Sequence, residues 1–478
     1  MAYTVNQSTT GLQGAWDDLI YVVNDTTNTA EPDYRYICSI RVGGAELMKL
    51  KQLPNNANAA VFNTQRVCEG YVYQDDNPYQ LGAIDLNGDV STTEIFSTNT
   101  SALQTFTMRF GYEFTTSPGT APTVVLTDAF DTEVVVVNGQ FISATQSSPS
   151  NGSSPYEMNG VSPQKLLLSD IPIVQPNTGY IPFPYVCKTS ILYRDIGTES
   201  QYRTMPSALA FINGTDLNSI AAYMHVSYYD GAIALNTGYF ENDALQGGAF
   251  PTASLTDSQS LIYVGVGTYN LNTQAIDTSL RPSDAGNSGW THYDVQMASS
   301  TTLSGNKVSA CYRFERVSCG RYITPNQVFS LHWWNSKGGI DNLPMLGKVV
   351  ESQTMDKKSY RTSGGNSFDA TGIGNTAYKR NSYSGGKRST DVHTTTTYEL
   401  STIGGDPEIL TPMIQSLLNS PRVFLWGKGV FGLNYSQDQT GLVQAFVTDT
   451  RLVMKSGVND QASSYKVVVE ISRRRVNG

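Results

Sequence analysis

The residues of this chain with chemical potential are scattered, and their spacing decides what they can do. The four histidines, His225, His292, His332 and His393, form no HxxxH or HxH pair. A zinc site needs three or four ligands converging on one point, and here they would have to come from separate elements, so no metal ligand is nominated. The five cysteines, Cys38, Cys68, Cys187, Cys311 and Cys319, are odd in number and include no CxxC pair. They read as free, mostly buried thiols of a reducing compartment. Asp85-Leu86-Asn87-Gly88-Asp89 begins like a calcium loop, but Gly88 stands at loop position 4 and Phe96 at position 12. An EF-hand requires Gly at position 6 and Glu at position 12, so the reading is a turn. Gly265-Val266-Gly267-Thr268-Tyr269-Asn270 opens like a dinucleotide fingerprint after a strand, with Asn270 in place of the third glycine and no helical pattern behind it. Gly286-Asn287-Ser288-Gly289-Trp290 is the nearest approach to a nucleophile motif, and it lacks the strand-to-helix setting of G-x-S-x-G. No catalytic residue and no cofactor is expected.

The densest cluster is Phe329 to Met345, FSLHWWNSKGGIDNLPM. It reads as a strand that turns sharply, with Gly338-Gly339 permitting backbone angles that residues with a Cβ resist. Adjacent strand residues point to opposite faces. One of Trp333 and Trp334 is therefore expected inside and the other on an outer face or a subunit contact, and likewise Tyr228 and Tyr229. Trp333, Trp334, Gly338, Gly339 and Asp341 are the structural or interface candidates. A glycan-binding reading would place a sugar on the tryptophans beside Asp341.

The elements that must position these residues are read as mainly β: multidomain β-sandwich or barrel-like units with a few short helices and long ordered loops. Charged residues make up only 15% of the 478, and there are 28 tyrosines, a composition that suits strands with Thr/Tyr faces and Gly/Asn turns. Three units are expected: residues 1–115, 116–300 and 301–478. Leu19–Val23, Tyr34–Val42, Lys49–Pro54, Thr105–Phe114, Thr132–Val137, Ser260–Gly267, Val308–Val317, Gly441–Met454 and Tyr465–Ile471 read as strands. In the second of these, Tyr34, Tyr36, Cys38, Ile40 and Val42 share a face. Ala60–Tyr73 holds a brief helix or strand, Met205–Ile212 one or two helical turns, Asn270–Trp290 a polar excursion, and Ser143–Gly160 an exposed loop. One amphipathic helix spans about 406–419, with Asp406 as N-cap, Pro407 first, Pro412 near its first turn, and Leu410, Met413, Ile414, Leu417 and Leu418 on one face. Pro421 stops it. Lys357–Thr397 is an extended arm or an ordered hairpin.

The net charge of −9 argues against a general nucleic-acid binder, since phosphate contacts need clustered Lys and Arg. Between Lys357 and Arg388, however, seven basic residues face one acid, Asp369, and Arg473, Arg474 and Arg475 form a basic tail. The first residues lack both a basic n-region and an apolar core, so no Sec-type leader is expected. No apolar run reaches 18 residues, so no membrane span is expected.

Several stretches carry a resemblance. Cys319–Tyr322, Pro325 and the aromatic strand ending in Trp334-Asn335 precede Gly338-Gly339-Ile340-Asp341. This order resembles the W-x-N-x-x-G-G-x-D element of virion proteins of tailed bacteriophages, notably Bacteroidetes and crAss-like phages. Leu19–Val23, Tyr34–Val42, Lys49–Pro54 and Val61–Arg66 resemble that group's N-terminal succession. Val264–Leu271 and Tyr293–Val295 resemble its middle strands, and the helix before Ser420–Val423 its C-terminal part. Asn342-Leu343-Pro344 replaces the aromatic usual after Gly-Gly-x-Asp. The resemblance implies a structural tail hub, adaptor or baseplate subunit, made in a host bacterial cytoplasm and incorporated in the virion. It implies assembly into a ring-like homo-oligomer beside other tail proteins, with possible lumen contact to phage DNA and no sequence-specific nucleic-acid binding. The alternative is a host-surface glycan-binding or decoration protein.

Overall fold

The protein is described from a computed structural model that covers residues 3–9, 11–73, 95–99, 101–117, 120–140, 169–170, 181–190, 202–203, 207–212, 222–242, 261–274, 276–304, 306–307, 309, 311–318, 329–345, 347–362, 366–368, 378–380, 386–402, 407–428, 440–448 and 464–474. The order begins with β1 (Tyr3–Gln7), β2 (Gly11–Gly14), β3 (Ile20–Asp25), β4 (Arg35–Val42), β5 (Ala45–Gln52), β6 (Ala59–Asn63) and the short helix α1 (Gln65–Glu69). Next come β7 (Phe96–Asn99), β8 (Leu103–Phe114), β9 (Thr123–Val137), β10 (Ile181–Ser190), β11 (Tyr202–Arg203), β12 (Ala208–Ile212), β13 (Tyr223–Asp230), β14 (Ile233–Glu241) and β15 (Leu261–Gly265). α2 (Thr268–Thr273) and two 3-10 turns lead to β16 (His292–Ala298), β17 (Tyr312–Ser318), β18 (Phe329–Trp334), β19 (Ile340–Met345), β20 (Val349–Thr362), β21 (Asn366–Phe368), β22 (Tyr378–Arg380) and β23 (Gly386–Ser401). α3 (Pro407–Asn419), β24 (Val423–Lys428), β25 (Thr440–Val447) and β26 (Lys466–Arg474) complete it. The chain is mainly β with few short helices.

The N-terminal strands form two layers. A five-stranded sheet, β2-β9-β8-β4-β5, and a three-stranded sheet, β1-β3-β6, close on one core that includes Tyr21, Tyr36, Phe62, Phe106 and Phe110. Tyr36, Cys38 and Ile40 of β4 line this core because alternate residues of a strand share a face, and Ile37 and Ser39 on its other face are buried as well.

The rest of the chain builds a six-stranded sheet, β11-β10-β17-β16-β13-β14, a three-stranded sheet, β12-β15-β7, and a seven-stranded sheet, β19-β18-β24-β25-β26-β23-β20. One large core joins them. Met224, Val226 and Tyr228 of β13, Tyr293, Val295 and Met297 of β16, and Tyr312 and Phe314 of β17 point into it. Tyrosine is tolerated there because its hydroxyl can find a partner: Tyr228 Oη donates to the Leu280 carbonyl at 2.8 Å and Tyr293 Oη to that of Val266 at 2.7 Å. Leu410, Met413, Ile414 and Leu417 of α3 face the same core. Pro412 lies inside α3, where its missing N–H removes one turn-to-turn bond; the buried apolar face holds the helix across that gap.

Five expectations are corrected or sharpened. Met205–Ile212 is not helical where it is described: Ala208–Ile212 is strand β12, paired antiparallel with β15, because its alanines and Phe211 are buried against that neighbour. A one-and-a-half-turn helix, α2, does follow Gly265-Val266-Gly267. The divisions at 115 and 300 are crossed by ladders, β8 with β9 and β16 with β17, a pairing that composition cannot reveal. Arg473 and Arg474 are not a loose tail but the end of β26, opposite Thr394 and His393. The described parts of 357–397 form a hairpin, β20 with β23. The expected loop at 143–160, the Asp85–Asp89 turn, Asp406, Cys319 and Arg475 lie outside the described residues.

The burial of one face of α3 predicts that Leu417→Ala lowers the unfolding free energy by about 2–5 kcal/mol. The exposed Gln415→Ala control changes it by less than about 0.5 kcal/mol. Urea denaturation followed by tryptophan fluorescence checks both.

Candidate functional site

The Phe329–Met345 stretch forms an antiparallel pair, β18 with β19, closed by the turn Asn335–Gly339. Asn335 organises that turn. Its Oδ1 accepts from the Lys337 N–H at 3.0 Å and the Gly339 N–H at 2.9 Å, the side-chain mimicry of a backbone turn that Asn performs readily. Gly338 sits at φ +86°, and a Cβ there would lie 2.3 Å from the Asn138 carbonyl oxygen. Gly139 returns the approach, since its Cβ would lie 2.5 Å from the Lys337 carbonyl carbon. The Gln140 N–H donates to the Ser336 carbonyl across this contact. Two backbones therefore meet with no side chain between them. Of the Gly-Gly pair, only Gly338 takes a left-handed φ.

Both tryptophans are buried, Trp333 at 0% and Trp334 at 1% exposure. The expected outer face for one of them does not exist. β18 is an internal strand, paired with β19 on one edge and β24 on the other. One side is covered by the large core under α3 and the other by a smaller cluster with Tyr263, Ile340 and Phe424. Tyr228 and Tyr229 do divide as expected: Tyr228 is buried, while the half-buried Tyr229 stacks on His292 at 5.0 Å and 9°.

Asp341 is 2% exposed and belongs to a closed polar network. Its Oδ1 accepts from Ser169 Oγ at 2.6 Å, and its Oδ2 accepts from the Asp170 N–H at 3.0 Å. The Asp170 carboxylate accepts from the Ser336 N–H at 2.7 Å, from Ser336 Oγ at 2.7 Å and from Ser416 Oγ at 2.5 Å. The Trp333 indole N–H donates to Ser416 Oγ at 2.9 Å, and Lys337 Nζ donates to the Ser169 carbonyl at 2.8 Å. Three distant pieces of chain, residues 169–170, the β18–β19 turn and α3, are thus tied through two carboxylates. At the next residue of β19, Asn342 Oδ1 accepts from Ser207 Oγ at 2.7 Å.

This arrangement is a clasp. Each of the four carboxylate oxygens accepts a donor from this chain. Among the described residues, no group of three His, Cys, Asp or Glu could hold a metal ion. Burial, with the Asp170 charge adding to it, pushes the Asp341 carboxyl up to about 7 against its hydrogen bonds. Burial pushes His332 down to about 3, so it is neutral. Cys38 and Cys68 are buried and free, Cys311 is half-buried and free, and burial raises all three thiols, Cys68 and Cys311 to about 12. None is a thiolate nucleophile at neutral pH.

The sequence nominated Asp341, Trp333 and Gly338 but not their partners. Ser169-Asp170 is a polar pair between the apolar Leu166–Leu168 and Ile171, a break that marks a buried polar contact only once the fold is known. Ser416 is hidden by lying on the flank of an otherwise apolar helix face.

Two consequences are measurable. The folded state holds the Asp341 proton to about pH 7, whereas an unfolded Asp loses it near about 3.9. The folded state therefore binds more protons between those values, and the stability from this group is full below about pH 4 and is lost as pH rises toward 7. That loss is about 4 kcal/mol at about 1.4 kcal/mol per unit. Asp341→Asn, whose amide keeps the same shape and donates to Ser169, removes this dependence. Its unfolding free energy relative to the native chain rises between pH 4 and pH 8, as read from denaturation at each pH. Separately, Gly338→Ala places a Cβ on the Asn138 oxygen at a positive φ. It costs about 3 kcal/mol, seen as a lowered denaturation midpoint.

No family model matches the chain, and no curated protein matches it. Among solved structures, Drosophila OTK extracellular domains 3-5 aligns over 83% of this chain and 93% of that one, at 9% identity and a TM-score of 0.17, an overlap that carries no structural conclusion.

Proposed function

We propose that the chain is a structural component of a tailed-phage virion, a tail hub, adaptor or baseplate subunit that acts by self-assembly into a ring, and not an enzyme. The observation that carries the assembly part is the ribbon of β20 and β23. From Glu351 to Arg361 every residue of β20 is exposed, and β20 is the edge of the seven-stranded sheet. Met355 is 55% exposed and Tyr360 46%. Beyond the stem that β26 braces, Lys357–Arg361 of β20 and Lys387 and Ser389 of β23 are exposed, and a two-stranded ribbon is marginal by itself, so a neighbour that covers it adds stability. The phage part rests on the sequence resemblance at Cys319–Asp341 and along the N-terminal strands.

The closed clasp fits a structural role: its tryptophans, serines and carboxylates hold three segments of one chain together, with their polar groups spent on each other. The glycan-binding alternative loses the residues that nominated it, because Trp333, Trp334 and Asp341 lie under the chain's own elements.

Negative-stain imaging and light scattering of the purified full chain test the proposal. The expected result is a closed ring of defined symmetry. A monomer at every concentration that binds members of a glycan array would overturn it.

A further inference from the structure

The ribbon has two unlike ends. Among the described residues, β23 pairs with β26 from His393 to Ser401, opposite the stem of β20. Among the described residues, the ribbon beyond Asp356 consists of β20 and β23 alone, and Lys357–Thr362 carries it about 20 Å further at 3.3 Å per residue. Charge follows the same division. Lys357 to Arg388 holds seven bases and one acid in a chain of net charge −9, so the remainder is more acidic than the whole.

The register concentrates this charge. Past a bulge between Lys358 and Ser359, Arg361 is directly opposite Lys387 and Tyr360 opposite Arg388, while Lys358 before it lies opposite Asp391. Residues two apart on a strand share a face, which sets Lys357, Ser359 and Arg361 on the same side as Lys387. Their side chains are exposed. Like charges directly opposite destabilise a strand pair, so this ribbon is relieved by an anionic surface laid against it.

The chain carries such a surface. β9 is fifteen residues long, and on one edge β2 covers only Val134–Val137. Among the described residues, Thr123–Glu133 has no strand on that side. Asp128 and Glu133 of this segment are exposed; Arg109 holds Asp131 through two bonds of 2.8 and 2.7 Å and also feels the charge of Asp128. Val124, 50% exposed, offers an apolar counterpart to Met355 and Tyr360.

We infer that the basic ribbon of one copy docks on the acidic outer half of β9 of a second copy. The inference rests on the self-assembly proposed above and names its contact. Ribbon and β9 are different patches, so the contact is head-to-tail and repeats into a closed ring or a filament. Charge pairing across it sets register and encounter rate more than raw affinity, and salt weakens it.

The test uses the full-length chain in three forms beside the native one: K357E/K358E/R361E, D128K/E133K, and both sets combined. All the changed residues are exposed, and thermal melts confirm that folding is kept. Sedimentation velocity at low and high salt reads the assembly. The expected result is salt-sensitive assembly of the native chain, at least tenfold weaker self-association in each single set, and recovery in the combined set. Unchanged assembly of the ribbon variant would overturn the named contact and leave the self-assembly reading standing. A native chain that stays monomeric overturns both. A native chain that binds short duplex DNA through the ribbon, with assembly indifferent to the charge reversal, overturns the contact in favour of a nucleic-acid partner.

Discussion

The fold depends on one place where two backbones touch. Gly338 and Gly139 face each other so closely that neither tolerates a methyl group. This lets the end of β9, a strand of the N-terminal sandwich, lie against the β18–β19 turn of the seven-stranded sheet. Everything nearby serves that approach. Asn335 shapes the turn, the Gln140 N–H bridges the two backbones, and Ser169-Asp170 closes over the turn from outside. Buried carboxylates are costly unless hydrogen-bonded. Here the cost is met by five donors, two of them backbone N–H groups and three serine hydroxyls.

Much of the architecture was legible in the sequence because it rests on periodicity. The alternation in Tyr34–Val42, the apolar run of Leu261–Gly265 and the helical spacing of Leu410, Met413, Ile414 and Leu417 each match their elements. Met205–Ile212 was misread because a short apolar run has no period long enough to separate helix from strand. The candidate stretch was legible as a strand and turn, but its surroundings were not. Whether Trp334 is outside depends on the cluster of Tyr263 and Phe424 behind it, and Ser169 reaches Asp341 across 172 positions. No local pattern records such a distance.

The composition now has a physical account. Few charges and many tyrosines suit sheets buried on both sides, where an aromatic ring fills volume and its hydroxyl satisfies a carbonyl in the next layer. The charges that remain are placed on strand faces as cross-strand pairs, such as Arg313 with Asp294 at 2.7 Å and Arg109 with Asp131. The ribbon tip departs from this pattern at one pair, Arg361 opposite Lys387, while Lys358 lies opposite Asp391. Lysines along an exposed edge also discourage indiscriminate strand addition, so the same residues that favour an acidic partner reject a neutral one.

The long-range ties of the clasp set an order of events during synthesis. The described strands of the N-terminal sandwich end by Val137, so that unit can close while the ribosome is still at work, as domains generally do. The seven-stranded sheet has to wait for Lys466–Arg474, and Ser416 bonds Asp170 across 246 positions. Such non-local contacts are slow to form, because loop closure precedes their reward. β23 is flanked by a second strand only once β26 has been made, so the stem of the ribbon is braced last of all. A nascent chain therefore has an early-formed acidic β9 and a late-formed basic ribbon, which delays contact between copies until each chain is complete.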